Sequence, residues 1–105
     1  MTTHMRTLPI EIPEPAIREF CVRNHIQRMA FFGSLLRDDF TPESDVDVLI
    51  EFEPGHCTGL IAFAGLENAL SELLGRNVDL NTSASLSPYF REQVLAEAEN
   101  VYVAA

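Results

Sequence analysis

The chain has 105 residues, 47% of them hydrophobic, with 16 acidic against 7 basic side chains and a formal net charge of −9. This length suits one domain, and the apolar fraction is enough for a packed core, which argues against disorder. A surface of that sign repels phosphate backbones, so unaided binding to nucleic acid is disfavoured; it suits a basic protein partner, or simply a soluble cytosolic protein.

The first residues, Met1 to Pro9, lack the apolar run of a signal peptide. The longest nearly continuous apolar run, Leu60 to Leu66, is too short to span a bilayer. The expectation is a cytoplasmic protein with no membrane contact, one domain over 1–105, and a flexible N-terminal segment over 1–12. Cys21 and Cys57 share no metal-ligand spacing and read as reduced thiols. His4, His25 and His56 share none either and read as surface or loop residues. A chain this short has no room for a large recognition domain, so a large substrate would need a partner to present it.

In chain order, Pro13 and Pro15 mark the start of a helix, with Ile17, Phe20 and Cys21 as its buried stripe and Asn24 as its stop. Ile26 to Phe32 reads as a strand ending at Gly33. A short helical turn over Ser34 to Arg37 follows, then a polar loop from Asp38 to Glu43. From Ser44 to Glu53 the even positions Val46, Val48, Ile50 and Phe52 are all apolar, whereas Asp45, Asp47, Glu51 and Glu53 dominate the odd ones. Side chains alternate along a strand, so one face of this strand belongs in the core and the other faces solvent or a ligand. Glu51 and Glu53 lie toward its far end and are read as solvated.

Pro54-Gly55 ends that strand. A helix from Leu60 to Leu74 buries Leu60, Phe63, Leu66, Leu70, Leu73 and Leu74, turns Glu67 and Ser71 outward, and stops at Gly75. Asn77 to Asn81 is a short strand with Val78 and Leu80 on one face and Asp79 on the other. Ser87-Pro88 caps a last helix whose inner stripe is Phe90, Val94 and Ala98, and Val101 to Val103 closes the domain as an edge strand. The order predicts an α+β two-layer domain: a small mixed sheet covered on one face by helices, with the aspartate face open.

Asp45 and Asp47 lie two apart on one strand face, with Cα atoms roughly 6.5–7 Å apart. Carboxylates so spaced suit one or two hard cations held by oxygen ligands. Asp79, on the open face of another strand, is the natural third carboxylate, either as a ligand or as a general base toward an attacking hydroxyl. Gly33-Ser34 stands where a strand hands over to a helical turn, so the backbone can approach a phosphate and the Ser34 hydroxyl can add a hydrogen bond. Arg37, on the same turn, could offset charge on a leaving pyrophosphate. Taken singly, each piece is commonplace; the conjunction in this order points to in-line nucleotidyl transfer supported by two metals.

The runs Gly33-Ser34-Leu35-Leu36-Arg37 and Ser44-Asp45-Val46-Asp47-Val48-Leu49-Ile50 resemble the G-S-x-x-R and S-D-x-D-hydrophobic signature of the DNA polymerase beta-like nucleotidyltransferase superfamily. The length resembles its minimal branch, which includes antitoxins of the MntA type. The likeness continues through Asn77-Val78-Asp79-Leu80 and Tyr89 to Val94, and so covers nearly all of the chain from Ile26 onward. It implies Mg2+ at Asp45, Asp47 and Asp79, and ATP bound near Gly33, Ser34, Arg37 and Ser44. It also implies a HEPN-type toxin as partner, neutralised by transfer of AMP to a tyrosine hydroxyl, in a homo- or hetero-oligomer. The chain departs from the pattern at one place: the family often has a small residue and then Arg-Gly, whereas here Leu36 precedes Arg37 and Asp38-Asp39 follow it. Two acids there oppose a triphosphate and suit a basic partner. They motivate the alternative, a weakly active or inactive binding module that neutralises its partner by complex formation alone.

Overall fold

The computed structural model describes residues 10, 12–36, 40–41, 43–56 and 58–104, without the side chain of Ser34. Arg37, Asp38, Asp39 and Cys57 lie outside the described residues. So does most of the segment 1–12, but Ile10 and Ile12 are described and pack against the core.

Pro15 stands in the first turn of α1 (Glu14–Arg23), where a missing N–H costs nothing. Asn24 ends this helix, and its side-chain amide donates to the Phe20 carbonyl at 2.8 Å. Then come β1 (Ile26–Phe32), a 3-10 turn (Gly33–Leu36), β2 (Val46–Phe52) and α2 (Leu60–Leu74). β3 (Val78–Thr82), a second 3-10 turn (Ser83–Ser85), α3 (Pro88–Glu97) and β4 (Glu99–Val103) complete the order. Gly75, at φ 69°, ends α2 in the left-handed conformation that glycine adopts without a Cβ penalty.

The sheet runs β3-β2-β1-β4. β1 is antiparallel to both β2 and β4, whereas β2 and β3 are parallel, which requires the crossover that α2 provides. α1 and α2 cover one face: Ile17, Phe20, Cys21, Leu66 and Leu70 pack on Met29, Phe31, Val46, Val48, Ile50, Val78 and Leu80. Burial pushes the Cys21 thiol up to about 12, so it remains a protonated, inert thiol.

Four side chains differ from the periodicity reading. Leu60 is 87% exposed, and the buried part of the stripe begins only at Leu66. Glu67 and Ser71 do not face out. β3 is an edge strand, and its outward N–H groups are met by α2: Leu80 N–H donates to Glu67 Oε2 at 2.8 Å and Val78 N–H to Ser71 Oγ at 3.0 Å. Glu51 is not simply solvated, since Arg28 Nη1 donates to its Oε2 at 2.7 Å while Arg28 Nε donates to Asn100 Oδ1 at 2.8 Å.

The link from α2 to β3 has a measurable weight. Glu67→Ala removes the acceptor of the Leu80 amide and is expected to lower stability by about 1–2 kcal/mol. Thermal unfolding checks this, and an unchanged midpoint would mean that β3 is held by β2 alone.

The aspartate face is not open along its whole length. Leu49 and its cross-strand partner Ala30 are both buried, forming an apolar strip between the aspartate end of β2 and the Glu51–Arg28 pair. α3 also departs from expectation. Phe90 is 59% exposed and α3 buries none of its residues. Instead Phe90 and Val94 share a cleft with Phe32 and Asp47. Arg91 fixes the helix there, donating from Nε to Ser83 C=O at 2.7 Å and from Nη2 to Leu86 C=O at 3.2 Å.

Candidate active site

The carboxylates are positioned by backbone register. In the parallel pairing of β2 with β3, Val46 lies beside Val78, Asp47 beside Asp79 and Val48 beside Leu80. Register neighbours share a face, so the two apolar pairs that flank this arrangement send their side chains to the core and leave Asp47 and Asp79 together on the other side. Their Cα atoms are then about 4.8 Å apart, one strand spacing. Asp79 is exposed, Asp47 half-buried, and Asp45, just before β2, exposed.

Ser44 organises the turn that delivers Asp45. Its Oγ accepts from Thr41 N–H at 3.0 Å, and its own N–H donates to Thr41 C=O at 2.9 Å. Arg76 ties the same turn to the end of α2, with Nη2 donating to Thr41 C=O at 3.1 Å and the guanidinium 4.7 Å from the Phe40 ring centroid.

Gly33 follows β1 at φ +74°. Its neighbour Phe32 pairs with Asp47, which brings the glycine over the Asp47 side chain. A Cβ built on Gly33 would collide with Asp47 Oδ2, and would stand 3.0 Å from Asp47 Cγ. Only glycine lets the start of the 3-10 turn come this close to the carboxylate. Gly33, Asp47 and Asp79 are therefore brought together, with Asp45 and Ser44 at the rim, while the Ser34 side chain and Arg37 lie outside the described residues. The three aspartates are aligned but not closed on one point. Among the described residues, the group of three ligand-type side chains whose donor atoms all lie within 4.8 Å of one another is His25, Glu53 and His56 at the other end of the sheet.

A cleft of about 380 Å³ opens beside Asp47, walled by Phe32, Leu86, Phe90, Gln93 and Val94. Its volume lies in the range of small-molecule sites, and it combines apolar walls with a few polar groups. Periodicity does not announce it: an i, i+4 pair such as Phe90 and Val94 is read as core unless the partner surface is known.

This fold and site define a class: a two-layer α+β domain presenting strand-borne aspartates beside a glycine turn. Residues 15–101 match the nucleotidyltransferase domain family, and the chain belongs to that family of enzymes. It is similar to the protein adenylyltransferase MntA of Thermococcus cleftensis, with 37% identity over 86 residues, covering 82% of this chain and 83% of that one. It is also similar to a candidate protein adenylyltransferase of Methanocaldococcus jannaschii, with 34% identity over 80 residues, covering 76% of this chain and 84% of the relative. Among solved structures, a candidate minimal nucleotidyltransferase superposes with a TM-score of 0.66 at 40% identity, covering 81% of this chain and 85% of that one. A toxin–antitoxin complex with AMP-PNP shares the fold at a TM-score of 0.72 and 23% identity, covering 89% of this chain and 75% of its own. No helix among the described residues is long and apolar enough to cross a membrane.

Proposed function

We propose that this chain transfers AMP from ATP to a hydroxyl group of a partner protein, as the antitoxin of a toxin–antitoxin pair whose toxin is of the HEPN type. The observation that carries the reading is the register pairing of Asp47 with Asp79 under a glycine whose missing Cβ makes room for the Asp47 carboxylate. Likeness to the MntA relative supports AMP transfer to a protein, and the fold shared with a toxin–antitoxin complex is consistent with a toxin as partner.

The donor set fits a hard divalent cation: all three groups are carboxylates, and adjacent strands deliver two of them to one face. Asp45, Asp47 and Asp79 would hold Mg2+, which when bound neutralises the triphosphate and stabilises charge on the attacking and leaving oxygens. The chain's own part is placement. Gly33 and Ser34 offer backbone to the phosphates, Ser44 keeps Asp45 at the mouth of β2, and α2 holds β3 in register through Glu67 and Ser71. In the reaction the acceptor oxygen bonds to the α-phosphorus, the bond to the bridging oxygen breaks, and pyrophosphate leaves. The hydroxyl proton departs on the Asp79 side, where the exposed edge-strand carboxylate can accept it.

The exposed ring of Phe90, which lines the cleft together with Asp47, and the exposed ring of Tyr89 next to it in the chain support a protein acceptor. Apolar groups held in the open beside a site are typical of surfaces that meet another protein. Arg37 would offset charge on the leaving pyrophosphate, and Asp38-Asp39 would meet a basic partner surface.

The test uses the purified chain, its partner, Mg2+ and ATP labelled at either the α- or the γ-phosphate. Only the α-label is expected to appear on the partner. Transfer of the γ-label would overturn nucleotidyl transfer, and neutralisation of the partner with no label at all would favour the alternative of a binding module.

A further inference from the structure

The end of the sheet remote from the aspartates carries a second constellation. His25 begins the approach to β1, Glu53 leaves β2, and His56 follows in the loop before α2. Glu53 lies six residues beyond Asp47, about 20 Å along the strand. The three backbones are hooked together: Glu53 N–H donates to His25 C=O at 2.8 Å, and His56 N–H donates to Glu53 C=O at 2.9 Å. Their side chains gather on the same side. The imidazoles of His25 and His56 stack with centroids 4.0 Å apart and planes 11° from parallel, and His25 Nδ1 lies 3.8 Å from Glu53 Oε1. One donor atom from each residue falls within 4.8 Å of the other two.

A second observation sets His25 apart. It sits at φ +58°, in the left-handed region, and is the one non-glycine residue to do so among those described. Glycine or asparagine would take that position at the end of α1 more cheaply. A side chain held in such a conformation costs energy, and such outliers concentrate where the side chain has a task. Here the backbone turn is what aims the His25 ring at Glu53 and His56.

We propose that His25, Glu53 and His56 form a binding site for a late first-row divalent cation, with zinc as its working probe. Two imidazoles and one carboxylate form a ligand set that suits zinc and its neighbours rather than magnesium, which prefers oxygen alone. Metal–ligand bonds of about 2.0–2.2 Å place tetrahedral donors roughly 3.3 Å apart, so the three side chains close by at most about 1.5 Å on binding. Near-parallel rings cannot both aim an in-plane lone pair at one ion, so at least one imidazole turns about its χ2 angle as the stack opens. The His25 and Glu53 side chains are 54% and 42% exposed, which leaves them free to turn and leaves water for the fourth position. The bound ion pins the turn after α1 to the loop after β2, an effect separate from chemistry at the aspartates.

The full-length, reduced protein is titrated with zinc in excess Mg2+, which fills sites made of oxygen alone. One equivalent is expected to bind, to raise the unfolding temperature, and to shift the imidazole resonances of His25 and His56 together. His25→Asn keeps the left-handed backbone, which asparagine tolerates. This variant and His56→Gln are each expected to weaken binding by more than about tenfold, since even outer-shell partners are worth that much, and to lose the zinc-dependent rise. Glu53→Gln is expected to act in the same direction, whereas Cys57→Ser is expected to bind as the parent does. The proposal is overturned if zinc does not bind in excess Mg2+, if the folded double variant His25→Asn, His56→Gln binds it equally well, or if the resonances of His4 alone respond.

Discussion

Asp47→Asn is expected to lower AMP transfer by at least about 10²-fold, the scale on which losing one preorganised charge-stabilising group is felt. Asparagine keeps the shape of the side chain, so the fold should be preserved while the charge beside Gly33 is removed. Asp47 is the aspartate that both lies in register with Asp79 and fills the space under Gly33, so it has the least freedom to be replaced by a neighbour. The matching expectation for ATP is weaker Mg2+-dependent binding in the variant, read by calorimetry with and without the cation. A variant that transfers AMP at the parent rate would remove Asp47 from the chemistry.

Gly33→Ala should reach nearly the same activity loss by a different route. At φ +74° an alanine pays about 1–2 kcal/mol for its left-handed backbone. Its methyl group also takes the place of Asp47 Oδ2, so the carboxylate must swing away from Gly33. The combined result is a fall in unfolding temperature of about 4–8 °C per kcal/mol for a domain of this size, together with lost transfer. Adding Asp47→Ala to Gly33→Ala makes room for the methyl group, so the double variant should recover part of the lost stability but none of the activity. Recovery of neither would mean that the cost lies in the backbone alone.

Much of this was legible in the sequence for a physical reason. Between Ser44 and Glu53 a period of two separates core from solvent, and the only fold-level fact needed to read Asp45 and Asp47 as a site is that strand side chains alternate. Pro15, Gly75 and Ser87 likewise act through their own backbone chemistry, and all three mark element ends. Periodicity, however, states which way a side chain faces and not what it meets. Phe90 and Val94 looked like core because nothing local says that α3 stands over the Phe32–Asp47 pair. Glu67 and Ser71 looked solvated because the bare edge they serve belongs to a strand that comes later in the chain. His25 and His56 looked unrelated because only the antiparallel register of β1 with β2 brings the end of one connection against the start of another. Leu49 was the one warning on the acidic face: an apolar residue among carboxylates marks where that face is covered again.

The two ends of β2 thus carry different chemistry. Carboxylates and a glycine turn stand at its start, and a histidine-rich cluster stands past its end. Variants at one end are expected to leave the other unchanged, which separates the two sites experimentally.

The most direct test of AMP transfer at the strand-borne aspartates is the intact mass of the partner protein after incubation with this chain, ATP and Mg2+. The account predicts that the partner gains the mass of whole AMP units with the parent chain and gains nothing with Asp47→Asn. Equal gains with both proteins, or a gain matching phosphate alone, would contradict it.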